Sequence, residues 1–170
     1  RWMSLNVDYE MCGKDLIESA ELASKICKCM KKKPPVNLIY EMFLDEKGEK
    51  ISKSVGNGIS VDQWLRYGSS ESLSFFMFQK PKTAKKLFFD IIPKSIDEYY
   101  SFLKKYHEKK NVSDLDNPVW HIHKGQPPSF ESAINFNSLI NLVSISNSTD
   151  KNVIWSFVNE YEPSLNHKEN

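Results

Sequence analysis

The 170-residue chain lacks a dominant charge: 23 Lys and Arg stand against 22 Asp and Glu, a formal net charge of +1. This excludes a chain that holds a polyanion by its overall field, so any contact with nucleic acid must come from local clusters of cations. Cysteine is sparse. Cys12, Cys27 and Cys29 are odd in number and lie in apolar or helical text, which suits a reducing compartment better than a disulfide framework. No apolar run approaches the roughly 18 residues that a membrane span requires, and no signal-peptide pattern opens the chain. Internal repeats and low-complexity tracts are also missing. These absences together predict a soluble, cytoplasmic protein without a membrane partner. Hydrophobic residues make up 40% of the chain, enough for one good core or two small ones.

What is present is organised around Lys50-Ile51-Ser52-Lys53-Ser54-Val55-Gly56-Asn57. Two lysines at i and i+3 are separated by small hydroxyl residues and followed by glycine. Lys50 and Lys53 supply charge, Ser52 and Ser54 supply hydroxyls, and Gly56 permits positive φ and close approach; that is the outline of a polyphosphate-binding loop. A solvated hairpin end has the same composition.

Upstream, Val7 to Met11 reads as a short strand that ends at Gly13-Lys14-Asp15. A helical pattern follows from about Asp15 to Lys31, with Leu16, Ile17, Ala20, Ala23, Ile26, Cys27 and Met30 on one face and Asp15 placed as N-cap. Strand, turn and helix start in succession is the layout in which doubly wound sheets hold nucleotides. Lys31-Lys32-Lys33-Pro34-Pro35 ends that helix. Val36 to Leu44 then reads as a strand apolar on both faces, as in a central parallel strand, with Glu41 an exception that has to be paired or placed at the ligand-facing end.

Downstream the pattern turns helical. Ser60 and Gln63 form a capping box and Ile59 with Trp64 a hydrophobic staple. Further helices are expected from Ser69 or Ser70, from Thr83 after the Pro81 break, and from a second capping box of Ser95 and Glu98. Glu108 to Asn117 reads as a linker. Pro118 to His123 reads as extended, with His121 and His123 on one face, yet no third ligand has suitable spacing and no protein-bound metal is expected. Two amphipathic helices follow, over about 137–146 and 149–161.

The basic loop resembles the KMSKS signature of class I aminoacyl-tRNA synthetases, with Ile51 where methionine is usual. Three further segments narrow the likeness: Val7-Asp8-Tyr9-Glu10-Met11-Cys12-Gly13-Lys14-Asp15-Leu16, Tyr40-Glu41-Met42-Phe43-Leu44-Asp45, and Gln79-Lys80-Pro81-Lys82-Thr83-Ala84-Lys85-Lys86. In that order and spacing they resemble the bacterial form of class I lysyl-tRNA synthetase, from Arg1 to about Tyr161.

The resemblance implies an α/β part followed by all-α parts. Residues 1–58 would be the C-terminal half of a Rossmann-type catalytic domain, 59–110 a helical stem-contact region, 111–163 a further helical region, and 164–170 a disordered tail. It implies ATP with Mg2+ as a substrate complex and L-lysine and tRNA(Lys) as partners. Gly13 and Asp15 would reach the adenosine ribose, an alternative to the capping role of Asp15, and Phe43-Leu44 would lie beside adenine. Tyr40 and Glu41 would line the amino-acid pocket. Lys50, Ser52, Lys53 and Ser54 would hold the phosphates, with Lys50 and Lys53 catalytic, and Lys80, Lys82, Lys85 and Lys86 would meet the tRNA acceptor arm.

Leu16 departs from the archaeal pattern, which has a histidine bordering the lysine pocket. None of the four histidines, His107, His121, His123 and His167, precedes the loop, so no HIGH signature is present. The chain also begins at Arg1 without an initiator methionine. The expectation is an internal piece lacking the N-terminal half of the catalytic domain and a C-terminal anticodon-binding domain. Two other readings share these features: a catalytically idle helical RNA-binding piece, and a class I synthetase of the glutamyl type.

Overall fold

A computed structural model describes residues 1–52, 54–108, 114–130, 132 and 134–163. Lys53, residues 109–113 of the expected linker and the expected tail at 164–170 lie outside the described residues. The chain divides into two compact units, Arg1–Ile59 with Lys80–Phe88, and Ser60–Gln79 with Phe89–Asn170.

The first unit opens with a short helix α1 (Trp2–Leu5) and strand β1 (Tyr9–Gly13). A 3-10 turn over Lys14–Leu16 leads into α2 (Ile17–Cys29), which returns the chain to β2 (Val36–Tyr40). β1 and β2 pair in parallel, from Tyr9 opposite Val36 to Gly13 opposite Tyr40. A parallel pair needs such a crossover, and the helical spacing between two β-prone runs supplies it. α2 turns its small residues inward, with Ala20 and Cys27 buried, while Leu16, Ile26 and Met30 are half or more exposed. It ends in a Schellman motif: the Lys32 N–H donates to the Cys27 carbonyl at 2.9 Å and the Lys31 N–H to the Lys28 carbonyl at 3.0 Å, with Lys31 left-handed at φ 54°.

The expected strand over 36–44 is two strands. β2 stops at Tyr40, and β3 (Phe43–Leu44) pairs in parallel with β4 (Lys85–Lys86) instead. β2 is therefore not enclosed as a central strand among the described residues, and Val36 and Tyr40 remain 62% and 40% exposed. The helix expected from Thr83 does not form there. The Leu87 N–H donates to the Leu44 carbonyl at 2.7 Å and the Glu41 N–H to the Pro81 carbonyl at 2.9 Å. Backbone pairing with a strand forty residues away overrides the local helical spacing. Residues 80–88 accordingly fold with the first unit, and the chain after residue 58 is not purely helical.

The second unit contains α3 (Val61–Leu65), α4 (Ser70–Phe78), α5 (Ile91–Glu108), α6 (Pro118–Ile122), α7 (Phe136–Ser146) and α8 (Lys151–Tyr161). The capping box at α3 is complete, with Gln63 N–H on Ser60 Oγ at 3.1 Å and Ser60 N–H on Gln63 Oε1 at 2.9 Å. Ser69 caps α4. The second expected box is absent, because α5 begins at Ile91, before Ser95. Pro93 falls in its first turn, where a missing N–H breaks no helical bond, and Ser95 is buried inside the helix.

The core gathers Phe75, Tyr99, Leu103 and Val119, with Tyr100, Phe102 and Ile122 packed around them. Fully buried Trp64 lies 5.3 Å from Phe76, ring to ring, and donates to Ser72 Oγ at 3.1 Å. Asp97 on α5 accepts the Phe136 N–H at 2.6 Å, capping α7 from across the unit. The segment 118–122 is helical and not extended, capped by Asn117 with Pro118 at its first position. His121 and His123 consequently part company: His121 Nε2 lies 2.8 Å from the Leu115 carbonyl oxygen and His123 Nε2 lies 2.7 Å from the Tyr99 hydroxyl. Among the described residues no three His, Cys, Asp or Glu side chains gather to hold a metal, and no helix is long and apolar enough to cross a membrane.

Candidate active site

The register of β1 on β2 brings Gly13 opposite Tyr40, so the residues that follow them meet at the carboxyl tips of two parallel strands. That is where open α/β sheets bind ligands. Lys14 Nζ and Glu41 Oε2 form an ion pair at 2.9 Å. Glu41 thus lies just past the strand end and is paired, which removes the cost of a carboxylate in the sheet. Asp15 is not the N-cap of α2: no side chain caps that helix, and Asp15 sits inside the 3-10 turn. Its exposed carboxylate instead bends over Gly13, where a Cβ would lie 2.7 Å from Asp15 Oδ1 and 3.7 Å from Tyr40 Cε2. Gly13 has ordinary extended backbone angles, φ −66° and ψ 156°, so its smallness serves space and not conformation.

The basic loop hangs from a hairpin. β3 leads into a turn over 45–48, closed by the Gly48 N–H on the Asp45 carbonyl at 3.0 Å with Gly48 at φ 88°. The returning arm is antiparallel to β3: the Asp45 N–H donates to the Glu49 carbonyl at 2.8 Å, and Lys50 bridges to Leu44. Lys50 is therefore tied by backbone to the strand that carries Phe43 and Leu44. Its side chain is exposed and forms no ion pair with a described residue. Ser52 and Ser54 share a hydroxyl hydrogen bond at 3.0 Å, and the Val55 N–H donates to Ser52 Oγ at 3.3 Å. Gly56 adopts φ 68° and donates to the Ser52 carbonyl at 3.0 Å, the positive φ expected of it. Lys53 lies outside the described residues.

Sequence reasoning missed the foot of this loop. Asp45 is buried at 7% exposure, and its carboxylate accepts from the Glu49 N–H and from Asn57 Nδ2, each at 2.8 Å. The Glu49 amide above all, then the Asn57 amide, holds its pKa below the usual carboxylate value. The available signal was an Asp and an Asn twelve positions apart bracketing a turn-rich segment, residue types that bond to nearby backbone.

The four lysines expected to meet the acceptor arm lie on a turn and a short strand. Lys80 is left-handed at φ 42° in a turn closed by the Thr83 N–H on its carbonyl, and Lys80 and Lys82 are exposed. Lys85 and Lys86 lie on β4, where alternate side chains point to opposite faces. Lys86 Nζ donates to the Glu46 carbonyl at 2.8 Å, bracing the turn that starts the loop.

A family model described as tRNA synthetases class I (K) matches residues 1–126, and the chain belongs to that family. Among curated relatives it is similar to a lysine–tRNA ligase of Roseobacter denitrificans, with 49% identity over 170 residues that cover all of this chain and 32% of the relative. It is also similar to the lysine–tRNA ligases of Rickettsia rickettsii (strain Sheila Smith), 53% identical over 165 residues and 96% of this chain, and of Rickettsia felis, 53% identical over 170 residues and 99% of this chain. The chain spans about a third of the length of these relatives, 32% in each case.

Proposed function

We propose that the chain is part of a lysine–tRNA ligase and supplies the loop that neutralises the departing pyrophosphate when lysine is activated with Mg·ATP. The observation that carries this reading is Lys50, exposed and unpaired among the described residues, on a hairpin arm bonded to β3 within the span matched by the family. In the proposed step the lysine carboxylate attacks the α-phosphate in line, an acyl-phosphate bond forms, and the bond to pyrophosphate breaks. Negative charge grows on the leaving group, and the ammonium groups of Lys50 and Lys53 stabilise it there more than in bound ATP.

The β1-α2-β2 unit belongs, in this proposal, to a Rossmann-type domain over residues 1–58. Its parallel register supports this, as do the apolar side chains left exposed on both strands, since parallel sheets are normally covered on both faces. Gly13 and Asp15 then face the ribose, Phe43 and Leu44 the adenine, and Tyr40 and Glu41 the amino acid. Lys80 and Lys82, flanked by Lys85 and Lys86, meet the acceptor arm of tRNA.

The test is lysine-dependent ATP–pyrophosphate exchange in a protein of the relatives' full length. Lys50→Ala and Lys53→Ala should each slow exchange by about 10²- to 10³-fold. An unchanged rate in both would end the reading. A second reading, in which these 170 residues bind RNA without catalysis, is favoured by the exposed Lys80 and Lys82. Calorimetric titration separates the two. Heat with ATP supports the first, whereas tRNA binding that weakens with salt and no heat with ATP supports the second.

A further inference from the structure

The foot of the basic loop contains more hydrogen bonding than a surface turn requires. Asp45 spends both carboxylate oxygens on neutral donors, Oδ1 on the Glu49 N–H and Oδ2 on Asn57 Nδ2, each at 2.8 Å. Among the described residues no cation pairs with it. A carboxylate this buried is costly to keep charged, and these bonds offset that cost.

Asn57 faces three groups at once. Its Oδ1 accepts the Ser52 N–H at 3.0 Å, and its Nδ2 donates to Asp45 Oδ2 and, at 3.4 Å, to the Lys50 carbonyl. Only this orientation of the carboxamide works, because the opposite one sets oxygen against a carboxylate and N–H against N–H. One residue further out the neck closes sterically. A Cβ on Gly58 would lie 2.5 Å from Ile51 Cγ2, so only glycine lets the two ends approach this closely. Ser52 and Asn57, Ile51 and Gly58, and through Asp45 the hairpin turn, form one connected clasp.

We propose that Asp45 and Asn57 are positioning residues for the activation step: their carboxylate–carboxamide pair sets where the arm bearing Lys50 ends and the loop begins. The inference rests on the function proposed above for the loop. It assigns neither residue a contact with substrate. Charge stabilisation of a leaving group depends on placement, and a displacement of roughly 1 Å is enough to cost about 10²-fold in rate.

Because the pair is one acceptor facing one donor, it can be exchanged. Asn57→Asp sets two carboxylates against each other, and Asp45→Asn alone removes the charged acceptor. The double variant Asp45→Asn/Asn57→Asp restores a donor at 45 facing an acceptor at 57, and both new side chains still accept from Glu49 N–H and Ser52 N–H, while the longer 3.4 Å contact with the Lys50 carbonyl is given up. Two readouts apply. In the 170-residue chain, tryptic cleavage after Lys50 should quicken roughly 10- to 100-fold in Asn57→Asp and fall back in the double variant.

In the full-length protein, kcat for pyrophosphate exchange should fall about 10²-fold in Asn57→Asp with the KM for lysine little changed. Exchange by Asn57→Asp should recover as pH is lowered and one carboxylate takes up a proton, and the double variant should recover most of kcat at neutral pH. Unaltered cleavage in Asn57→Asp overturns the clasp. Altered cleavage with unaltered exchange, while Lys50→Ala remains slow, overturns the positioning role alone. If Lys50→Ala and Lys53→Ala are both unaffected as well, it is the proposed function that fails.

Discussion

Gly13→Ala is the substitution whose consequence is most sharply set by the geometry at the strand tips. The new methyl would stand 2.7 Å from Asp15 Oδ1, so the carboxylate must retreat by at least about 0.7 Å to regain ordinary contact near 3.4 Å. The backbone itself has no objection, since Gly13 is extended at φ −66°. Alanine also narrows the unfolded ensemble, which stabilises by about 0.4–1 kcal/mol. The two effects oppose each other, and the net change in stability should lie within about 1 kcal/mol of zero.

In an Asp15→Ala background the clash disappears and only the gain remains. The double-mutant cycle should therefore show a coupling of about 0.5–1.5 kcal/mol between positions 13 and 15. Urea denaturation of the four proteins measures it. A Gly13→Ala effect that is the same with and without Asp15 would refute the reasoning and leave the glycine without a steric role. If Asp15 also bonds the ribose, Gly13→Ala in the full-length protein should raise the KM for ATP about tenfold, for a displaced charged hydrogen bond.

Leu103→Ala should cost about 2–5 kcal/mol by urea denaturation, because Leu103 is 1% exposed in the core with Phe75, Tyr99 and Val119; a loss under 1 kcal/mol would show that this core is not well packed. Ser60→Ala removes one arm of the α3 capping box and should cost about 1 kcal/mol, whereas Ser70→Ala, one residue past its helix cap, should cost less. Burial, with Glu71 and Tyr100 nearby, pushes the Tyr99 phenol up to about 12. The folded state thus resists a charge that the unfolded chain acquires near pH 10, so stability is fully present below about 10 and is lost as pH rises towards 12. Thermal melts across that range should show the loss, and Tyr99→Phe should remove it. Lys14→Ala should change stability by less than about 1 kcal/mol, since its ion pair with Glu41 is partly exposed, and a larger loss would make Lys14 structural.

The sequence by itself determined whatever depends on near neighbours. The capping box of Ser60 and Gln63, the positive φ of Gly56, the two late amphipathic helices and the β-α-β order all follow from spacings of a few residues, where local propensity and turn chemistry dominate. The likeness of four ordered segments to class I lysyl-tRNA synthetases was legible in the same way, and the family match agrees with it. Only the tertiary structure decided the rest. Helical spacing after Thr83 lost to pairing of Lys85–Lys86 with β3, because an unpaired strand offers backbone bonds that a local pattern does not reveal. Asp15 left its capping position, Ser95 became helix interior, and His121 and His123 were divided between separate partners. The clasp of Asp45 and Asn57 was equally hidden: each residue alone reads as turn composition, and only folding brings a buried carboxylate within 2.8 Å of the one carboxamide that closes the loop.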